Sequence, residues 1–308
     1  MREELERLRA DAAQPGPHLG TEDGKCALPA GIPEVQDGLV ESGSMHELVD
    51  ILVSRTSKRC CGFWGSGGIG KTTTSAWLCR QDPVRRHFSG IVWVALGCTP
   101  NICACQQQLY AQLTGDELSV DSSTEEKVQK LRQAFLGRQM LLVLDDIWEA
   151  EHISLFAAID ETTKSRVLIS SRVRGVLEGC EIVDVGLPTE DDAIQIIMAA
   201  AGIPHAAAPP EARQVVRMCN NLPLTLGICG RMVKNLGLQQ DWSEVATIMK
   251  DELSSEGDAR SAEVGIIATS LRAMHGSHAE SARALFKAFS LVPEDCRIPL
   301  EALQWVCL

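Results

Sequence analysis

The sequence predicts an α/β fold, a doubly wound and largely parallel sheet followed by a region built of helices alone. Three observations predict it. Strand and helix patterns alternate from about Val40 to Leu187, the order that builds a parallel sheet covered on both faces through right-handed crossovers. Strand signals stop after Leu187, and Pro209-Pro210 and helix-start residues then divide the chain into helices. The length of 308 residues suits two domains of roughly 100–200 residues each.

Each element follows from its spacing. Met45–Val53 alternates apolar and polar residues at helical period, and Arg59–Trp64 reads as a short strand ending at Gly65. A helix over Lys71–Arg80, a strand over Ile91–Leu96 and a helix from about Asn101 to Leu113 come next. Ser123 with Glu126 three residues on is a capping box that opens a further helix. Strands are expected at Met140–Asp145, Arg166–Ser170 and Glu181–Val185, with a short helix between the last two. Thr189 with Asp192 opens a helix running to about Ala201, and Glu211–Cys219, Leu224–Lys234 and Asp241–Glu252 read as helices. Ser254–Asp258 reads as a link before a last helical section from Ala262 onward. Residues 1–35 begin with a short charged stretch of helical tendency, pass through Gln14-Pro15-Gly16-Pro17, and read as a mobile lead-in. No internal repeat of 20–50 residues is visible.

Composition narrows the function. The chain is 45% hydrophobic and 23% charged, ordinary for a chain that buries a core. Its net charge of −12 argues against binding nucleic acid or a membrane surface through bulk charge. It leaves open a local anion site made by a few groups. The amino terminus shows no secretory signal, and the longest apolar runs, Met140–Leu144 and Ile91–Leu96, fall far short of the roughly 20 residues of a membrane helix. A cytoplasmic location is expected. The twelve cysteines then read as reduced, mostly buried thiols. Cys98, Cys103 and Cys105 have no C-x-x-C pair and no nearby histidine, so they too read as core thiols rather than a zinc site.

The sharpest feature is Gly65-Ser66-Gly67-Gly68-Ile69-Gly70-Lys71-Thr72, which fits G-x-x-x-x-G-K-[ST] at every fixed position and sits between a strand and a helix. Glycines let the backbone wrap so that successive N–H groups face phosphate oxygens, and the helix start adds its partial positive charge. Lys71 is suited to the β- and γ-phosphates and the Thr72 hydroxyl to Mg²⁺, with Thr73 next on the same turn. Leu141–Trp148 is a buried-strand pattern with Asp145 and Asp146 at its carboxyl end, where ligands bind in open α/β sheets. Asp145 suits the metal, and Asp146 suits a base or water-orienting group for phosphoryl transfer. Arg172 closes the Val167–Ser171 strand pattern. On spacing alone it reads as a surface arginine paired with an acid; beside the other motifs it reads as a contact to a γ-phosphate.

Together these segments resemble the NB-ARC family of STAND-type P-loop ATPases, found in plant disease-resistance receptors and animal apoptosome proteins. The resemblance runs from about Val40 to the end. It is carried, in order, by the phosphate loop, Phe88 with Ile91–Val94, Leu141–Trp148, the Arg166–Arg172 strand, Asn220-Asn221-Leu222-Pro223-Leu224 and Phe286–Asp295. It implies a P-loop α/β domain over 39–187, a helical ARC1 domain over 188–256 and the start of a winged helix over 257–308, after a flexible segment over 1–38. It implies an adenine nucleotide between the first two domains, with ADP in a closed resting form and ATP in an open form that oligomerises. Pro223 would pack against the adenine, and Asn221 stands where the family has glycine. It also implies Mg²⁺ and protein partners that the sequence does not name.

Val40-Glu41-Ser42-Gly43 stands where the family has a Gly-Arg pair. The chain stops at Leu308 inside the implied winged helix, without the family's Met-His-Asp motif or a repeat sensor, which predicts a fragment or a reduced relative. Two other readings stay open: a module that holds ADP without turning it over, and a P-loop kinase, for which no acceptor site is visible. His87, His152, His205, His275 and His278 share no metal spacing. Trp77, Trp242 and Trp305 read as helix anchors, and Glu190–Asp192 and Glu294-Asp295 as helix starts or turns.

Overall fold

The computed structural model describes residues 21–29, 31–35, 38–54, 58–119, 122–238, 241–255, 262–272 and 279–289. It divides into two units. The first comprises the described parts of Met1–Val35, Glu41–Gly67 and Lys71–Val185; the second comprises those of Gln36–Val40, Gly68–Gly70 and Gly186–Leu308.

The first unit opens with a hairpin of β1 (Thr21–Glu22) and β2 (Lys25–Cys26). Asp23 and Gly24 turn it with φ of +51° and +71°, the paired left-handed geometry that an Asp-Gly hairpin adopts. Helix α1 (Gly43–Val53) follows, capped by Ser42, then β3 (Cys60–Trp64), α2 (Lys71–Arg80) and α3 (Asp82–His87). The hairpin packs on α3: Arg85 Nε donates to the Cys26 carbonyl at 2.9 Å, and Lys25 pairs with Asp82 at 2.7 Å. The hairpin within the lead-in is therefore built onto the fold, contrary to the mobile reading of that stretch. Asp23-Gly24 is the local sequence signal for this turn.

Next come β4 (Gly90–Gly97), α4 (Ile102–Thr114), α5 (Thr124–Phe135), β5 (Met140–Ile147), α6 (Ala150–Phe156), β6 (Arg166–Ser171) and β7 (Glu181–Asp184). The Ser123/Glu126 capping box opens α5, and the short helix foreseen before β7 is a 3₁₀ turn over Arg174–Leu177. Helices α3 and α6 were not foreseen. At six and seven residues they are too short to show a helical period.

The five longer strands form one parallel sheet in the order β4-β5-β6-β3-β7. Val92, Val94, Leu142, Leu144, Val167 and Ile169 join Phe135 and Phe156 in its core, which is why the central strands read as continuous apolar runs. The chain leaves β3 for the far edge of the sheet and returns through β5 and β6. The strand feeding the phosphate loop is thus separated from the strand bearing the two acids by β6 alone.

The second unit is helical: α7 (Glu190–Ala201), a 3₁₀ turn (His205–Ala207), α8 (Ala212–Met218), α9 (Pro223–Leu236), α10 (Trp242–Ser255), α11 (Ala262–Arg272) and α12 (Ala279–Phe289). Thr189 and Asp192 cap α7 reciprocally, so that acidic run is a helix start. Ile194, Ile197, Val216, Leu226, Val233, Trp242 and Met249 belong to its core. Asn220 and Asn221 adopt φ of +52° and +55° before α9, a left-handed conformation that asparagine tolerates far better than most residues. That accounts for Asn221 at a glycine position.

Among the described residues no helix is long and apolar enough to cross a membrane. Of the described cysteines, Cys26, Cys61, Cys79, Cys180, Cys219 and Cys229 are buried free thiols. Cys103 is exposed and Cys98 and Cys105 only half-buried, so the core reading fails for that cluster. The three occupy the loop after β4 and the first turn of α4, at the sheet's margin. Among the described residues no group of three or more His, Cys, Asp or Glu is placed to hold a metal. The charged stretch at the amino terminus, His275, His278, Cys296, Trp305, Cys307 and the Leu291–Asp295 segment lie outside the described residues.

Candidate functional site

Strands β3, β5 and β6 end side by side in the first unit, and Lys71, Thr72, Asp145, Asp146 and Arg172 gather at those carboxyl ends. The loop after β3 begins with the Gly65 N–H donating to the Ser171 carbonyl at 3.3 Å, which ties it to the end of β6. Gly68 and Gly70 take φ of +77° and +98°, a region that residues with a Cβ rarely enter. Ser66 is exposed, Ile69 buried, and Lys71, Thr72 and Thr73 form the first turn of α2.

Lys71 is 7% exposed, and its Nζ donates to the carbonyls of Gly65 at 2.8 Å and Ser66 at 3.0 Å. Burial pulls its ammonium below the ordinary lysine value, with Asp146 opposing.

The two acids sit at an irregularity in the β5–β6 ladder, where the register shifts between Leu144 and Ile147. Asp146 has φ of +53°, and a break of this kind re-aims side chains that a regular strand would send to opposite faces. Asp145 is 2% exposed. One of its carboxylate oxygens accepts from Ser170 Oγ at 2.5 Å and the other from Thr72 Oγ1 at 2.8 Å. The Thr72 hydroxyl and a buried carboxylate oxygen therefore face one point, an all-oxygen donor pair that fits Mg²⁺.

The Asp146 carboxylate accepts from Arg172 Nε at 3.1 Å, Arg172 Nη2 at 3.2 Å and Trp148 Nε1 at 3.2 Å. The Arg172 guanidinium also lies 5.1 Å from the centre of the Trp148 ring, within cation–π range. A Cβ built on Gly67 would come 3.8 Å from Arg172 Nη1, so this arginine lies against the phosphate loop. The pairing expected of Arg172 from spacing alone is present, and the acid is Asp146. Pro223 belongs to the second unit, at the first position of α9, where a proline's missing N–H costs nothing.

Sequence reasoning missed Ser170 and Trp148. The signal for Ser170 was two serines closing an apolar strand; for Trp148, an aromatic just past the acids. Neither pattern names a partner.

Burial raises the Asp145 carboxyl above its ordinary value, against the hydroxyls of Ser170 and Thr72, which lower it. A carboxyl raised by folding contributes stability that is fully present below its unfolded value, about 3.9, and lost as pH rises through the folded value. At neutral pH the charged Asp145 therefore destabilises the first unit. Asp145→Asn is expected to raise the melting temperature of nucleotide-free protein at pH 7, with the gain shrinking toward pH 4, and to remove any Mg²⁺ dependence of nucleotide binding. Melting curves across that range check it; an unchanged or lower value at pH 7 counts against the assignment.

The NB-ARC domain family matches residues 41–202, just over half of the chain. Among curated proteins, disease resistance protein UNI of Arabidopsis thaliana is 24% identical over 259 residues, covering 80% of this chain and 29% of that protein. Disease resistance protein SUMM2 of the same plant is 24% identical over 291 residues, covering 89% of this chain and 32% of that protein. The chain thus spans about a third or less of these relatives. Among solved structures, a STAND protein with a tetratricopeptide repeat sensor from Pyrococcus horikoshii matches at TM-score 0.51 and 16% identity, over 90% of this chain and 40% of that one. The ORC2 protein of Aeropyrum pernix in its ADP form matches at 0.50 and 12%, over 90% and 96%. At such identities these two show the shared fold.

Proposed function

Because the chain belongs to the NB-ARC family, a family of nucleotide-binding signalling domains, we propose that it is an adenine-nucleotide switch. It binds ADP or ATP with Mg²⁺, hydrolyses ATP slowly, and adopts a domain arrangement and oligomeric state set by the nucleotide. By its likeness to plant disease-resistance proteins, it acts in the cytoplasm within a defence-signalling protein, through protein partners.

The observation that carries the reading is the gathering of Lys71, Thr72, Asp145, Asp146 and Arg172 at one sheet edge. The loop N–H groups and Lys71 would hold the phosphates, Thr72 and Asp145 the Mg²⁺, and Pro223 the adenine. Bound Mg²⁺ supplies charge neutralisation of the phosphoryl oxygens. Asp146 orients or deprotonates the attacking water, and Arg172 answers to the γ-phosphate. Phosphoryl transfer depends on positioned charge, and an arginine supplied in trans accelerates it by several orders of magnitude; a lone chain turns over slowly for want of one.

A second reading has its own support. The Asp146 carboxylate is engaged by both Arg172 and Trp148, an acid held away from water chemistry, which favours a module that retains ADP without hydrolysis. Single-turnover phosphate release separates the two. Release by the native chain that Asp146→Asn lowers by about 10²-fold or more, within the usual contribution of a positioned base, supports hydrolysis. Release at background in both proteins leaves the ADP-holding module. The nucleotide that copurifies, identified by mass spectrometry after denaturation, tests the base: guanine would overturn the adenine assignment.

A further inference from the structure

Ser170 is wholly buried near the end of β6, and no motif gave it a part. Its hydroxyl donates to Asp145 at 2.5 Å, and the same oxygen accepts the backbone N–H of Asp146 at 2.9 Å. One atom thus grips the side chain of the first acid and the main chain of the second. It does so where the β5–β6 ladder is broken between Leu144 and Ile147, so the Asp146 N–H finds in Ser170 the acceptor that a regular ladder would have supplied. The Asp146 main chain is also at φ +53°, a conformation that persists for a non-glycine residue when its surroundings hold it. With one Asp145 oxygen fixed by Ser170, the other is directed at Thr72, 2.8 Å away.

We infer that Ser170 is a positioning residue of the nucleotide site: it orients the Asp145 carboxylate beside Thr72 for Mg²⁺ and fixes the backbone turn that presents Asp146 to Arg172. This rests on the nucleotide-switch reading. A serine that merely satisfied a buried carboxylate would matter for stability alone. A positioning serine matters for what the metal adds to binding.

The test uses the full chain as native protein, Ser170→Ala, Ser170→Cys and Ser170→Thr. ADP affinity is measured by calorimetry in EDTA and again in Mg²⁺, with a melting curve for each protein. The native chain is expected to bind ADP more tightly in Mg²⁺. Ser170→Ala should lose that gain by roughly 10–100-fold, the usual cost of removing a group that orients a metal ligand, while its affinity in EDTA stays within about twofold of native. Ser170→Thr, which keeps the hydroxyl, should restore the gain. Ser170→Cys, close in size and a weak donor, should behave as Ser170→Ala and stands in for it if the alanine protein does not fold. A Mg²⁺ gain unchanged in the alanine or cysteine protein overturns this inference alone. So does an equal loss in EDTA and Mg²⁺, which marks a structural serine. No ADP binding by the native chain overturns the functional reading, and this inference with it.

Discussion

On the proposed function, Lys71→Ala is expected to abolish the rise in melting temperature that Mg·ADP and Mg·ATP should give the native chain. A ligand at 100 times its dissociation constant stabilises the form it binds by about 2.7 kcal/mol, which for a unit of 150–250 residues is worth about 2–4 °C per kcal/mol. The native shift is then on the order of 5–10 °C, and the variant's is near zero. The nucleotide-free melting temperature should change little, because two effects oppose. The substitution removes the ammonium's bonds to the Gly65 and Ser66 carbonyls, and it relieves the burial that already pulls the Lys71 ammonium below its ordinary value. Those same carbonyl bonds hold the ammonium at the mouth of the loop, where phosphate oxygens are to be met. A variant that keeps the full nucleotide shift would remove the phosphate loop from the account.

Gly230→Ala is expected to destabilise the helical unit even though alanine is the better helix former. Mid-helix, alanine gains about 1 kcal/mol over glycine. At Gly230 a Cβ would lie 2.5 Å from the Ile197 carbonyl oxygen, 2.6 Å from the Ala200 Cβ and 3.1 Å from the Ala201 nitrogen. Two of those neighbours are backbone atoms of α7 and cannot turn aside, so α9 must move off α7. Overpacking of this kind costs about 1–3 kcal/mol, occasionally more, and it outweighs the propensity gain. Gly227, three residues earlier on α9, is the internal control. A Cβ there meets nothing closer than the Arg231 guanidinium at 3.5 Å, so Gly227→Ala should be neutral or stabilising by up to about 1 kcal/mol. Thermal and urea unfolding of both variants decides the matter. Equal stability in the two would show that the close crossing of α9 on α7 carries no strain.

Much of the site was legible because its chemistry is local. The phosphate loop needs glycines at left-handed positions, a lysine and a hydroxyl at a helix start, and all of these lie within eight residues of chain. The central strands were legible because both faces are buried, leaving unbroken apolar runs. The capping boxes of α5 and α7 lie within four-residue windows. The hairpin at 21–26 rests on an equally local signal, Asp23-Gly24. It was overlooked because its strands are two residues long and show no alternation.

By itself the sequence determined the α/β alternation, the helical second part, the phosphate loop and the pair of acids at a strand end. Only the tertiary structure decided that β6 lies between β3 and β5, and from that placement the rest follows. Ser170 reaches both acids, Arg172 closes on Asp146 beside Trp148, and Thr72 meets Asp145. The physical reason is range. Backbone conformation and caps are set by neighbours a few residues away, whereas Asp145 and Thr72 are 73 residues apart and meet only because strand order, written in no short window, brings their ends together.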